Sequence, residues 1–542
     1  MKTGVKSRVI CGVIAVLVIA LLYWFMLPPI HYASPDLWLF AGVSLAIVLA
    51  AGYLPRLLSG VSRLAETVSV KGKGGKAVPV SEPAPRWVKI LLLVIGGLAA
   101  LALLLSLTGA TIFHSGRYKD LLTTQEGDFT EDVAELSMNQ IPVVDRDTAM
   151  QLGKRKLGEM SDLVSQFEIA DNYTQINLGG RPVRVTPLVY ADLIKWFTNQ
   201  AQGLPAYIQV DMVTQEAQMV RLDEGMKYSP SELFLRNLKR YARFQYPTKM
   251  FDENFSFEVD ENGTPYWIIS TIEYTIGMWG GRDVEGAILI NAVTGEHAYY
   301  PVEEIPSWVD QVYHADLILE QLGYNGKFQS GFWNAYFGQR GVLRPTEGYN
   351  YIANNDDVYL YTGMTSVTGD QSNVGFVLVN MRTKETKFYA IPGAEEFSAM
   401  DSAEGEVQNL KYTATFPLLL NVADRPTYFM SLKDAAGLVK MYAFVDVERY
   451  QLVGTGGTVE EARADYIKLV GAGEGAELSG VIEEISSAVV DGFTRYYFKL
   501  EGDEAVYVAS IQVSDKLPFC KPGDRVKVTF TGGTTREVLT LD

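Results

Sequence analysis

The chain has 542 residues, 48% of them apolar and 20% charged, which is enough to build several cores and too apolar for disorder to be its default. Its net charge of −17 divides unevenly, with +7 on the first 112 residues and −24 on the remainder. So acidic a remainder repels phosphate backbones and excludes nucleic acid as a partner. The two cysteines, Cys11 and Cys520, give neither a disulfide framework nor a metal-type spacing.

The N-terminal region, 1–113, reads as membrane. Uncharged apolar runs at about 9–27, 37–54 and 90–113 each approach the roughly 20 residues a helix needs to cross a bilayer, so three transmembrane helices are expected. The first run is also open to reading as a signal peptide, but it is longer than a signal core and no A-x-A site follows. Lys2, Lys6 and Arg8 precede the first run. Arg56, Arg63, Lys71, Lys73, Lys76, Arg86 and Lys89 lie between the second and third, and the turn "PPIHYASPD" has no Lys or Arg. The positive-inside rule then places the N-terminus in the cytoplasm and the large C-terminal region outside. No Asp, Glu or Arg lies inside the runs, which favours anchoring in the lipid bilayer over ion transport.

The next region repeats itself. "AYIQVDMVTQEAQMV" (206–220), "GAILINAVTGEHAYY" (286–300) and "GFVLVNMRTKETKFY" (375–389) share Asp211, Asn291 or Asn380 at the sixth place. They share Thr214, Thr294 or Thr383 at the ninth and Glu216, Glu296 or Glu385 at the eleventh. Alternating apolar residues flanking a polar turn predict a β-hairpin, and the Asp, Asn and Thr side chains are suited to bonding the turn backbone. Upstream of each lies a further turn and strand, "NLGGRPVRVTPL" (177–188), "DENGTPYWIIST" (260–271) and the Pro-less relative "NNDDVYLYTGMT" (354–365), and "ADRPTYFMSL" (423–432) is the counterpart in a fourth copy. The fourth copy ends in "MYAFVDVERYQLVGT", which keeps Asp446 and loses the Thr and Glu.

Each copy opens on a helix. Asp147 is expected to cap the first, ending near Met160. Ser229, with Pro230 and Glu232, forms a capping box for the second. The third is expected from Pro306 to Gly323, the fourth only weakly in "SAEGEVQNLKY", and a closing helix from Thr458, capped with Glu461, to Val470. The fold class is therefore α+β, with tandem modules at 114–225, 226–305, 306–395 and 396–472, the last including the closing helix. Recurrence at this interval implies duplicated supersecondary units packed on one another.

The second copy, with Gly263, Pro265, Tyr266, Asn291, Thr294, Gly295 and Glu296, resembles the PepSY domain, a helix followed by a curled antiparallel sheet. The first and third copies depart from it at Gln215 and Lys384, and the fourth departs further. The resemblance implies extracytoplasmic, non-enzymatic modules that bind proteins or modulate peptidases. The chain as a whole is similar to membrane-anchored envelope proteins of the Gram-positive type.

After the Gly-rich linker "GAGEGAE", candidate strands at 478–485, 493–500, 505–511, 525–530 and 536–541 predict a small all-β barrel over 478–542, similar to an OB fold. Asp491-Gly492 marks a hairpin within it.

No catalytic constellation emerges. HExxH, G-x-S-x-G and Walker spacings are all missing from the sequence. Of the four histidines, His31 and His114 flank apolar runs, while His297 and His314 read as strand and helix residues. "GTGGT" (454–458) leads into an acidic helix start that repels phosphate. "NNDD" (354–357) lacks the alternation of a calcium loop. No catalytic, cofactor or metal residue is assigned.

The segment 328–341, "FQSGFWNAYFGQRG", is dense in aromatics. Phe332, Trp333, Tyr336 and Phe337 form either a partner- or sugar-binding surface or an amphipathic stretch buried between modules. The expected function is a membrane-anchored extracytoplasmic binding or scaffold protein, not an enzyme. Its partner is an envelope or membrane protein, with a glycan contact as another option. An accessory subunit of a membrane machine is the alternative, and a carboxylate-based envelope glycan hydrolase a more distant one.

Overall fold

The computed structural model describes residues 2–51, 86–133, 141–354, 357–367, 372–471, 476–490, 493–532 and 535–541. The chain divides into two compact units. One comprises Met1–Arg117, Glu232–Asp252 and Thr271–Glu285, and the other Tyr118–Ser231, Glu253–Ser270 and Gly286–Asp542.

In the first unit the apolar runs do not give three equivalent spans. Among the described residues one helix is long and apolar enough to cross a membrane, Val9–Met26, with a mean hydropathy of 2.8. The helix Pro35–Ala51 is shorter. The third run becomes a pair, Leu93–Leu107 and Thr111–Lys119, bent by 44°, and only if this pair counts as one span are there two. The break has a local and a distant contribution. Thr108 turns its hydroxyl back to the Leu105 carbonyl (2.6 Å), and at Gly109 the backbone of Ile276 and Gly280 comes so close that a Cβ would meet it.

The same unit gathers segments that are distant in sequence. Arg243, on the helix Leu238–Gln245, donates from Nε to the Leu27 carbonyl (3.0 Å) just beyond the first helix, where a cation complements the helix dipole. Burial brings this guanidinium down to about 10. Arg240 lies over the Trp24 ring at 4.2 Å, the Pro247 carbonyl accepts from the Ile30 N–H (2.7 Å), and Met278 N–H reaches the Thr108 hydroxyl (3.1 Å).

The rest is a mixed α+β assembly of many sheets. One sheet has the order Phe167–Ile169, Arg181–Tyr190, Leu204–Asp211, Ala217–Met226, with Thr174–Leu178 added on Arg181–Tyr190. A four-stranded sheet has the order His297–Pro301, Gly280–Asn291, Pro265–Ile276, Met250–Val259. A third is centred on Asp357–Ser366 and Ser372–Asn380, and a fourth on Arg425–Lys433 and Val439–Asp446.

The first three sheets carry the same turn. The Oδ1 atoms of Asp211, Asn291 and Asn380 accept from the N–H groups two and three residues on, all six distances being 2.9 Å. The residue four on has positive φ in these three copies: Gln215 (63°), Gly295 (78°) and Lys384 (63°). In the fourth copy Asp446 Oδ1 accepts from the Arg449 N–H (2.7 Å) in a longer loop. A backbone contact repeats as well. The N–H groups of Val143, Tyr228, Tyr313 and Ala394, each upstream of a module helix, donate to the carbonyls of Met212, Ala292, Met381 and Val447 at 2.8–3.0 Å.

The helix starts differ from those expected. The first helix runs Arg146–Gly158 and is capped by Asp145, not Asp147. Ser229 and Glu232 are buried, and the helix starts later than expected: Leu238–Gln245 begins after Asn237. The third helix, Ala315–Lys327, begins nine residues after Pro306 with His314 at its cap, because the preceding backbone is held elsewhere. The fourth is Glu396–Glu406, earlier than "SAEGEVQNLKY". Thr458 and Glu461 form the reciprocal capping bonds (3.2 and 3.3 Å) for the closing helix Val459–Gly471.

The modules do not keep separate interiors. One core joins Ile208 and Val210 of the first copy, Tyr361 and Phe376 of the third, and Phe429, Phe444 and Tyr466 of the fourth. At the C-terminus five strands close on themselves in the order Ala476–Val490, Phe493–Leu500, Val506–Ser510, Thr535–Leu541, Arg525–Gly532. The long first strand closes the ring, its first half pairing with Arg525–Gly532 and its second with Phe493–Leu500. Arg463 of the closing helix holds Glu537 of this ring at 2.8 Å.

Candidate contact surface

The helix Ala315–Lys327 does not end in solvent. Asn325 Nδ2 donates to the carbonyls of Lys119 (3.1 Å) and Leu122 (2.8 Å), fixing its C-terminus to the chain that follows Thr111–Lys119. The backbone then makes one short α turn, Gly331–Trp333, and one π turn, Asn334–Gly338. Wider turns of this kind are unusual and cluster at functional places. Asn334 clamps the far side: its backbone carbonyl accepts from the Gln339 N–H (2.6 Å). Its amide donates to the Arg340 carbonyl (2.9 Å) and accepts from the Arg340 N–H (3.2 Å). Gln339 takes the left-handed conformation that reverses the chain (φ 49°).

This backbone lines up a series of rings. Tyr118 meets Tyr324 edge-on at 4.8 Å. Tyr324 stacks on Phe328 (6.1 Å) and Phe328 on Phe332 (6.4 Å). Phe332 touches Trp333 (5.4 Å) and Tyr336 (4.7 Å), and Trp333 stacks on Phe337 (5.7 Å). Lys327 Nζ donates to Tyr336 Oη (3.0 Å). The four residues singled out from sequence are thus in contact with one another. Phe332 is half-buried, whereas Trp333 is 64%, Tyr336 49% and Phe337 79% exposed. Burial between modules does not describe these three. Together they form an exposed cluster of aromatic side chains.

The other candidates have structural roles. Glu216, Glu296 and Glu385 are exposed, and the Asp and Asn side chains beside them are committed to turn backbone, so the shared polar set is not gathered on a ligand. His297 is exposed on a strand, and His314 stands at a helix start. Of "NNDD", Asn355 and Asp356 lie outside the described residues. Asp357 forms a two-point ion pair with Arg382 (2.8 and 2.9 Å) and accepts from Asn380 (2.8 Å). Among the described residues no group of three His, Cys, Asp or Glu side chains could hold a metal ion.

Buried carboxylates escaped the sequence reading, Glu258 and Glu396 among them. Glu258 accepts from the backbone N–H groups of Asp310 (2.8 Å) and Gln311 (3.0 Å); Asp310 in turn accepts from the Asn177 N–H (2.7 Å). Gln311 donates to the Gln175 carbonyl (3.1 Å), and buried Arg184 to the Gln175 side chain (3.1 Å). The network ties three copies together. Burial pushes Glu258 up to about 7, its two N–H donors opposing. Glu396 is held by Tyr361 Oη (2.9 Å) and Asn373 Nδ2 (3.0 Å) and raised by burial. Glu258 lies in "FSFEV", a strand end buried on both faces, where alternation gives no sign of a buried acid.

No protein-family model and no curated protein matches the chain. Among solved structures, Bacillus subtilis levansucrase aligns at 7% identity over 75% of this chain and 96% of its own, with a TM-score of 0.19. A levansucrase mutant from B. megaterium aligns at 9% over 75% and 97%, TM-score 0.16. The dihydro-heme d1 dehydrogenase NirN aligns at 9% over 76% of this chain and 66% of that one, TM-score 0.15. Likenesses at that level carry no argument about fold or activity.

Proposed function

We propose that the chain is a membrane-anchored extracytoplasmic binding or scaffold protein that acts by contact and performs no reaction of its own. The observation that carries this reading is the division of labour among its polar and aromatic residues. The side chains repeated from copy to copy serve turn backbone, Glu258 and Glu396 serve hydrogen bonds that join copies, and one exposed feature is an aromatic turn. In this reading the apolar segments at 9–27, 37–54 and 90–113 anchor the chain in the bilayer, and the basic N-terminus and 52–89 stretch face the cytoplasm. The modules are PepSY-like, the C-terminal ring is OB-like, and the partner class is an envelope peptidase or wall enzyme.

The test is an assay of the purified full chain in lipid nanodiscs against peptidoglycan and unstructured peptides, alone and with candidate envelope peptidases. No turnover by the chain alone, with a changed peptidase rate in its presence, is expected. Turnover that scales with the chain alone would overturn the reading and favour the hydrolase.

A second reading, an accessory subunit of a membrane machine, is favoured by one observation: Glu232–Asp252 and Thr271–Glu285 fold into one unit with the apolar helices. A membrane partner lost with Leu17→Trp and Leu21→Trp, on the exposed face of the first helix, yet retained through changes on the modules, would select it.

A further inference from the structure

The aromatic turn has a local charge unlike its surroundings. From Gln321 to Thr346 there is no Asp or Glu, while Lys327, Arg340 and Arg344 are present. Arg340 and Arg344 are exposed, and the Arg340 backbone is bonded to Asn334 within the turn. In a region carrying −24 overall, this segment is locally cationic. The series of rings starts at Tyr118, and Asn325 ties the chain just after it to the helix Ala315–Lys327 through two hydrogen bonds.

Trp and Tyr with flanking cations are the residues that settle at a membrane–water interface, ring inward and polar end toward headgroups. Basic side chains add attraction to anionic lipid. The turn is already ordered by Asn334, so little conformational entropy is lost on docking.

We propose that Trp333, Tyr336 and Phe337 seat in the headgroup layer of the anionic bilayer that anchors the chain, with Arg340 and Arg344 meeting its phosphates. The inference deepens the anchored-scaffold reading and rests on it: the occupant of the exposed turn is lipid, which holds the modules in a fixed attitude to the membrane.

The test uses the full chain, with Cys11→Ala and Cys520→Ser, in nanodiscs containing phosphatidylglycerol. Single spin labels are placed through Phe337→Cys, Leu17→Cys and Asp424→Cys. Relative access of dissolved oxygen and of a water-soluble nickel chelate reports depth. Label 337 is expected to favour oxygen, as label 17 does in the first helix and exposed label 424 does not. Adding Arg340→Glu is expected to shift label 337 toward the aqueous value. Label 337 matching 424 while 17 stays in lipid would overturn the inference and leave the anchor standing. Label 337 shielded from both reagents would overturn it in favour of a protein contact. Label 17 in water would overturn the anchor and the inference together.

Discussion

One side-chain oxygen sets each of three hairpin turns, and the residue four places on shows what the copies may vary. Gln215 and Lys384 adopt positive φ despite their side chains, at a modest cost. Gly295 has no such freedom to change, because a Cβ would overlap the Tyr228 ring. Gly295→Ala is therefore expected to destabilise by about 2 kcal/mol, measured by denaturant unfolding, whereas Lys384→Gly changes far less. An equal effect at both sites would remove the Tyr228 explanation.

Glu258 predicts a pH dependence. The unfolded chain ionises it near its ordinary 4.5 and the folded chain near 7. Between those values the folded state holds a proton that the unfolded state has lost. Its contribution is thus fully present below the lower value and falls as pH rises through the window, by up to about 3 kcal/mol. Glu258→Gln should flatten that slope while costing about 1–3 kcal/mol, since one amide oxygen cannot serve both N–H donors. A slope unchanged in the variant would assign the titration elsewhere. The turn residues were legible in the sequence because their bonds close within four residues. Glu258 and Arg243 were not, because their partners lie 52 and 216 residues away.

At the scale of elements, the closing helix depends on glycines beneath it. Gly454 sits against the backbone of Tyr466, and Gly456 against Ala462, so a Cβ at either meets helix main chain that cannot swing aside. Gly454→Ala is expected to lower stability by about 2–4 kcal/mol. Gly457→Ala, next to the flexible Glu461 carboxylate, should stay within about 1 kcal/mol. Thermal unfolding of the two variants compares them directly; equal losses would show that helix contact is not the cause. The capped helix start at Thr458 was legible because its bonds are local, whereas Gly454–Gly456, expected as a turn, belong to the strand Val453–Gly456. The close approach they permit is tertiary. The same distinction applies at Ser229 and Glu232, which are buried while the helix begins only at Leu238.

At the scale of the whole molecule, apolar length was legible and its interruption was not. The bend after Leu107 arises beside a hairpin that the sequence places more than 160 residues later. The aromatic turn was visible as composition, but only the Asn334 clamp and the ring contacts show it as an exposed, ordered surface. The account rests on the C-terminal region lying outside the cell, and the native cysteines test this directly. Cys11 is buried in the first helix, and Cys520 is half-buried near the C-terminus, its thiol pushed up by burial. Intact cells expressing the unmodified chain would be treated at mildly alkaline pH with a membrane-impermeant maleimide, with Cys520→Ser as the blank. Labelling of Cys520 without lysis is the predicted result; labelling only after lysis would place the modules in the cytoplasm and contradict the account.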